Sequence, residues 1–208
     1  DVAAVGGPIV LEWTGRRPRW ISAALERWYS GLDHGPVARD LGGTEYLWGA
    51  NLAVRRSAAS AVGGFGSQLG RSGSSLLSGE DIDLEQRLEA AGHRRRYVPA
   101  AAVTHVVAAE RGSLDWVLRR AWWQGRSEAV RDRVSHGRLP VGLATRRVGA
   151  HAIHGAGRDA GAILRGPGRT GAVVRLLCTR VAAAGYAREA VRRRPAEAPS
   201  RHARPGSK

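Results

Sequence analysis

The sequence predicts a mixed α/β fold followed by a basic helical tail, and three patterns carry that expectation. Short β-branched runs punctuated by Gly and Pro, at residues 2–5, 9–11 and 102–107, read as strands. Between them lie segments with helical apolar spacing, such as Leu84, Leu88 and Ala91. Beyond Pro140 the composition shifts to Arg, Ala and Gly with weak helical patterning.

Residues 2–5, Gly6-Gly7-Pro8 and residues 9–11 read as strand, turn and strand. A helix is expected just after Pro18, on the pattern Ile21, Leu25, Trp28. Residues 47–54 are apolar, but Asn51 sits where a core strand would not want it. Arg55-Arg56-Ser57 starts a helix of small residues that ends at Gly63-Gly64. Residues 66–79 have the Gly/Ser composition of a flexible loop, and Ser78 offers a helix N-cap. Asp81 and Asp83 then fall in a first helical turn, where acidic side chains suit the dipole, and Gly92 closes the helix. Residues 96–98 and 102–107 read as a strand pair or one bent strand ending near His105. Residues 114–131 form a second helix, and residues 141–164 and 170–194 carry weak helical patterns broken by Gly166-Pro167-Gly168. The expected division is a domain over residues 1–138, a basic Arg/Ala-rich helical extension over 139–194 and a disordered tail over 195–208.

The net charge of +15 is unevenly placed. Residues 1–138 hold 19 basic and 15 acidic side chains, whereas residues 139–208 hold 14 and 3. Such a surface suits anions. No run approaches the ~18 apolar residues of a membrane span, and no signal peptide is visible. The one cysteine, Cys178, cannot form an internal disulfide. A nucleic-acid or anionic-membrane binding module is the rival class. It is disfavoured because the charge lies in the tail and the tryptophans lack basic interleaving.

Ser78-Gly79-Glu80-Asp81 places two carboxylates at a loop-to-helix junction. Such a pair serves either as ordinary helix capping or as a general base exposed to a substrate hydroxyl, with the Gly/Ser loop as a lid. Asn51 can donate to and accept from a ligand, or satisfy a backbone bend. Trp48 can stack on a ring or fill the core. His105 is a metal ligand or a structural imidazole. Arg119, Arg120, Gln124 and Arg126 lie on the second helix, and helical geometry lets at most one of the adjacent Arg119 and Arg120 reach a common site.

In order and spacing, Val5-Gly6-Gly7-Pro8, Trp48-Gly49-Ala50-Asn51, Gly63-Gly64-Phe65, Ser78-Gly79-Glu80-Asp81, Tyr97-Val98-Pro99 and Val103-Thr104-His105 resemble family 2 glycosyltransferases over about residues 1 to 131. The resemblance implies a partial GT-A fold, a Rossmann-like mixed sheet with flanking helices. It implies inverting transfer from a nucleotide-sugar donor to a hydroxyl of a glycan or lipid-linked acceptor. Asp81 would be the catalytic base and Glu80 would orient the acceptor or the helix start. Trp48, Gly49, Ala50, Asn51, Arg120 and Gln124 would bind substrate, and His105 would help hold a divalent cation, Mn²⁺ or Mg²⁺. The βαβ nucleotide-binding region and the Asp-x-Asp-like metal motif of that family have no counterpart here. The chain is therefore expected to be the acceptor-side, C-terminal portion of the enzyme domain or a degenerate form of it, with most of the donor and cation site lying outside it. A cytoplasmic location is expected, with the basic tail either resting on the anionic inner face of the plasma membrane or packing on the catalytic domain.

Overall fold

The computed structural model describes residues 1–71, 73, 75–153, 163 and 169–192. Its strands are β1 (Val2–Gly6), β2 (Ile9–Trp13), β3 (Arg39–Leu41), β4 (Ala53–Val54), β5 (Arg94–Tyr97) and β6 (Val103–Val107). Its helices are α1 (Ala23–Glu26), α2 (Arg56–Ala61), α3 (Glu80–Ala90), α4 (Leu114–His136), α5 (Val141–Ile153) and α6 (Arg169–Ala190). The expected break at Gly166-Pro167-Gly168 and the expected disorder of residues 195–208 lie outside the described residues.

The strands form two sheets. One has the order β3-β5-β1-β4, with β1 and β5 parallel inside it and antiparallel strands at both edges. The other pairs β2 with β6 in parallel, Leu11 opposite His105. Parallel neighbours need a crossover, and α3 supplies it for β5. Leu84 and Leu88 on α3 are fully buried with Ala3, Ala4, Leu47 and Tyr97. This is the partial GT-A arrangement of a mixed sheet with flanking helices.

Gly6 and Gly7 let the chain pass from the first sheet to the second. A Cβ at Gly6 would stand 2.2 Å from the Asn51 carbonyl oxygen, and one at Gly7 2.3 Å from that of Ala101. Residues 47–54 are not one strand. They form a 3₁₀ turn at Gly49–Asn51 and the two-residue β4. The Asn51 Nδ2 donates to the carbonyls of Pro8 at 3.2 Å and Ala101 at 2.7 Å, fastening the turn to the β1–β2 and β5–β6 linkers.

Other boundaries also differ from expectation for local reasons. The helix after Pro18 is short, because the Ile21 N–H closes a turn on the Pro18 carbonyl at 3.1 Å and Ser22 is extended. Its apolar residues are buried regardless: Ile21, Leu25 and Tyr29 join Val107, Val117, Ala121, Val174 and Cys178 in a second core. Trp13, Trp20, Trp28 and Trp116 pack against this core, which accounts for their spread along the chain. Residues 96–98 and 102–107 are neither a strand pair nor one bent strand, since β5 and β6 belong to different sheets.

The basic tail builds structure in its described part. Helix α6 packs lengthwise on α4 and buries Val174, Cys178, Ala182 and Tyr186. The contact is backbone to backbone: a Cβ at Gly125 would lie 1.9 Å from the Ala182 carbonyl oxygen, and one at Gly185 2.2 Å from that of Trp122. Around it, buried Glu189 accepts from Arg126 at 2.8 Å. Asp132 accepts from the Tyr186 hydroxyl at 2.9 Å and from Arg147 of α5 at 3.0 Å. Among the described residues no helix is long and apolar enough to cross a membrane.

Gly125→Ala provides a signed test. On an exposed helix this change gains about 1 kcal/mol, whereas overpacking costs about 1–3 kcal/mol. Urea unfolding of the variant is expected to show a net loss of stability.

Candidate active site

The Glu80-Asp81 pair stands where α3 begins, between the Gly49–Asn51 turn and α4. Gly79, not Ser78, occupies the N-cap, at φ 98°, in the left-handed region that glycine tolerates. Ser78 is drawn elsewhere. Its N–H donates to Ser127 Oγ at 3.0 Å, and the Ser127 hydroxyl donates to the Trp123 carbonyl at 2.8 Å. A fully buried serine of α4 therefore sets the height of the loop from which the pair projects.

Asp81 is held by two amides. Its Oδ2 accepts from the Gly49 N–H at 2.8 Å and its Oδ1 from the Ile82 N–H at 2.8 Å. A carboxylate fixed this way keeps the remaining lone pairs of both oxygens for a hydroxyl proton. A second acid of α3 anchors the segment just before this turn. Fully buried Glu85 accepts from the Leu47 N–H at 3.0 Å and lies 3.5 Å from Arg95. Burial pushes its carboxyl up to about 7 against the pull of the Leu47 amide and Arg95, and the nearby Asp81 charge pushes the same way.

Glu80 Oε2 is buried without a hydrogen-bond partner among the described residues, as are the Nη1 atoms of Arg120 and Arg131 on α4. Arg120 Nη2 reaches Ser78 Oγ at 3.4 Å. Burial, and then the Arg71 charge, bring the Arg120 guanidinium down to about 10, so it still carries its charge at neutral pH. Arg119 faces away and pairs with Asp115, so only one of the two adjacent arginines turns toward the site. Gln124 Nε2 donates to Glu128 at 3.1 Å, and Arg126 is committed to Glu189. For Glu128, burial opposes ionisation, but His151, hydrogen-bonded at 2.7 Å, with Arg131 and Gln124, outweighs it and brings the carboxyl to about 2.

The other expected residues are placed as follows. Gly49 and Ala50 are exposed on the turn, Trp48 is half-buried at its start, and the Asn51 amide nitrogen is spent on the two carbonyls described above. His105 is half-buried on β6, and burial, then the charges of Arg111 and Arg71, hold its imidazole below the usual range. Among the described residues no three His, Cys, Asp or Glu side chains are grouped to hold a metal. One imidazole flanked by two cationic arginines does not fit a divalent cation. Sequence reasoning missed Arg71, Ser127, Glu128 and Arg131. Helical spacing from Arg120 and Gln124 runs through Ser127, Glu128 and Arg131, but one stripe of polar residues reads equally as solvated surface.

The family described as "Glycosyl transferase family group 2" has a profile that matches residues 1–166. The chain is 29% identical over 133 residues to the glucosyl-dolichyl phosphate glucuronosyltransferase of Haloferax volcanii, covering 64% of this chain and 42% of that protein. It is 37% identical over 129 residues to the pre-mycofactocin glycosyltransferase of Mycobacterium tuberculosis, covering 60% of this chain and 24% of that protein. The chain thus spans less than half the length of these relatives. No solved structure matches it.

The raised Glu85 carboxyl predicts a pH dependence. Its folded value near 7 exceeds the unfolded carboxylate value of about 4.3, so this group contributes stability that is full below about pH 4.3 and is lost as pH rises to 7. Glu85→Gln is expected to gain stability relative to the wild type between pH 4.5 and 8, by up to about 3 kcal/mol. Urea unfolding at both pH values checks this; a difference that does not change with pH would contradict it.

Proposed function

The chain belongs to glycosyl transferase family group 2, and from that premise we propose that it forms the acceptor side of an inverting transfer of a sugar from a nucleotide-sugar donor to an acceptor hydroxyl, with Asp81 as the base. The observation that carries this reading is the clamping of Asp81 by the Gly49 and Ile82 amides beside the turn that would line the donor sugar. A fixed carboxylate can take the proton of an acceptor hydroxyl as that oxygen attacks the anomeric carbon from the face opposite the nucleotide. Direct displacement of this kind inverts the anomeric configuration and needs one base.

Arg120 complements it. A buried, charged guanidinium aimed at the loop stabilises negative charge that develops on a departing diphosphate. Glu80, next to the base with one oxygen unpartnered among the described residues, orients the acceptor. Gly49 and Ala50 leave room for close approach of the donor sugar, and Trp48 is the stacking surface at the start of that turn. The nucleotide itself would be held mainly by sequence outside this chain. One relative is named for glucosyl-dolichyl phosphate, and a lipid-linked glycan is the acceptor class proposed here. Such an acceptor would bring the enzyme to the cytoplasmic face of the membrane as a peripheral protein, with the Arg-rich tail meeting anionic headgroups.

Asp81→Asn removes the base and keeps one of the two amide contacts, since only its remaining oxygen can accept. In a transfer assay with the donor-binding half supplied, turnover is expected to fall by about 10²–10⁴-fold, with donor affinity nearly unchanged. Turnover near the wild-type rate would remove Asp81 from this role.

A further inference from the structure

The two faces of α6 are built differently. Inward, it packs on α4, and its one acid, Glu189, is fully buried against Arg126 and Arg133. Outward, Val173 and Leu177, with Val191 just past the helix end, are 37%, 41% and 75% exposed. Steps of 4 and 14 residues put the three on one line along the helix. Arg169, Arg180 and Arg188 are exposed on the same side, at steps of 11 and 8 residues. Unlike Arg126, Arg133 and Arg147, these three have no ion-pair partner among the described residues. No acid is exposed anywhere on residues 169–192.

The surface continues past the start of the helix. A Cβ on Gly171 would lie 2.8 Å from the Trp20 carbonyl oxygen. That contact sets the exposed Arg19 and the half-buried Trp20 beside the first turn of α6.

A face of this composition selects its partner. An isologous contact with a second copy would set Arg180 and Arg188 against cationic side chains of the same face. A nucleic-acid backbone would satisfy the guanidinium groups and leave Val173, Leu177 and Val191 in water. An anionic bilayer suits both kinds of side chain. Arginine stems lie along apolar surface while their heads reach lipid phosphates, and the valines and leucine between them enter the acyl boundary.

We propose that the outer face of α6, with Arg19 and Trp20 at its start, seats the protein on an anionic bilayer. The proposal rests on the membrane-linked acceptor of the reading above, and it assigns the contact to one built face in place of the tail's charge at large. The seat is joined to the site through α4. Gly125 and Gly185 lock the two helices together, while Ser127 and Arg120 of α4 hold the Ser78 loop. Seating α6 therefore fixes how the Asp81 loop stands relative to the membrane.

Co-sedimentation of the 208-residue chain with vesicles tests this. The wild type is expected to bind vesicles of equal parts phosphatidylglycerol and phosphatidylcholine, and not vesicles of phosphatidylcholine alone. Arg180→Gln with Arg188→Gln is expected to weaken binding by about thirtyfold. Leu177→Ser with Val191→Ser is expected to weaken it by about tenfold, with each fold checked by circular dichroism. Arg138→Gln with Arg146→Gln removes the same charge from exposed positions outside α6 and is expected to leave binding unchanged. An equal loss in that control overturns the proposal, as does wild-type binding by the Arg180, Arg188 variant or equal binding to neutral vesicles. Sensitivity to the arginines with none to Leu177 and Val191 is the outcome for a purely electrostatic partner such as nucleic acid, and also overturns it. Should a paired variant fail to fold, a polarity-sensitive dye on Val191→Cys decides, since the native Cys178 is buried. Its emission is expected to shift to the blue on the anionic vesicles, and an unshifted dye overturns the seat. Transfer to a water-soluble acceptor, with the donor-binding half supplied, is expected to be unchanged by Arg180→Gln with Arg188→Gln. The seat can thus fail while Asp81 keeps its role as base, and the reverse.

Discussion

Helix α4 can lie against α6 only because Gly125 and Gly185 present bare backbone to each other's helix. Everything on the opposite face of α4 takes its position from that contact. Ser127, two residues beyond Gly125, fixes the Ser78 amide, and Arg120 and Arg131 bracket the same loop. A side chain at the glycine contact would push the two helices apart, and the displacement would be delivered to the start of α3. Interiors are packed too densely to absorb it elsewhere.

The arginine-rich composition has a matching structural logic. Arg126 and Arg133 converge on Glu189, Arg147 with Tyr186 on Asp132, and Arg95 on Glu85 and Glu89. Each acid is shared by more than one donor or each arginine by more than one acceptor, so these buried charges are paired, although Glu85 Oε1 has no hydrogen-bond partner among the described residues. Part of the tail's excess charge therefore ties helices together. Arg120 and Arg131 each keep a buried Nη1, and Arg95 a buried Nε, that meets no acceptor among the described residues.

Much of the architecture was legible because period and punctuation agreed. Val2–Gly6, Ile9–Trp13 and Val103–Val107 are short β-branched or apolar runs with turn residues beside them, and Glu80–Ala90 carries its acidic first turn and its terminal Gly92. Pairing was not legible, since β1 and β2 are consecutive yet enter different sheets, a choice made by the Gly6 and Gly7 contacts with distant carbonyls. Asn51 marked itself as a misfit, and the structure supplies the reason in its two carbonyl partners. Asp81 could be singled out from its setting, but its amide clamp depends on Gly49, 32 residues away. Arg131 gave no signal, because an arginine on a polar helix face is ordinarily solvated.

With Asp81 as the single base of a direct displacement, the sugar passes once from donor to acceptor. The most direct test of this is the anomeric configuration of the first-formed product, read by proton NMR during transfer by the polypeptide with its donor-binding half in place. Direct displacement gives a new glycosidic bond of configuration opposite to that of the sugar in the donor. A product that retains the donor's configuration would require a second displacement or a front-face attack, and would contradict it.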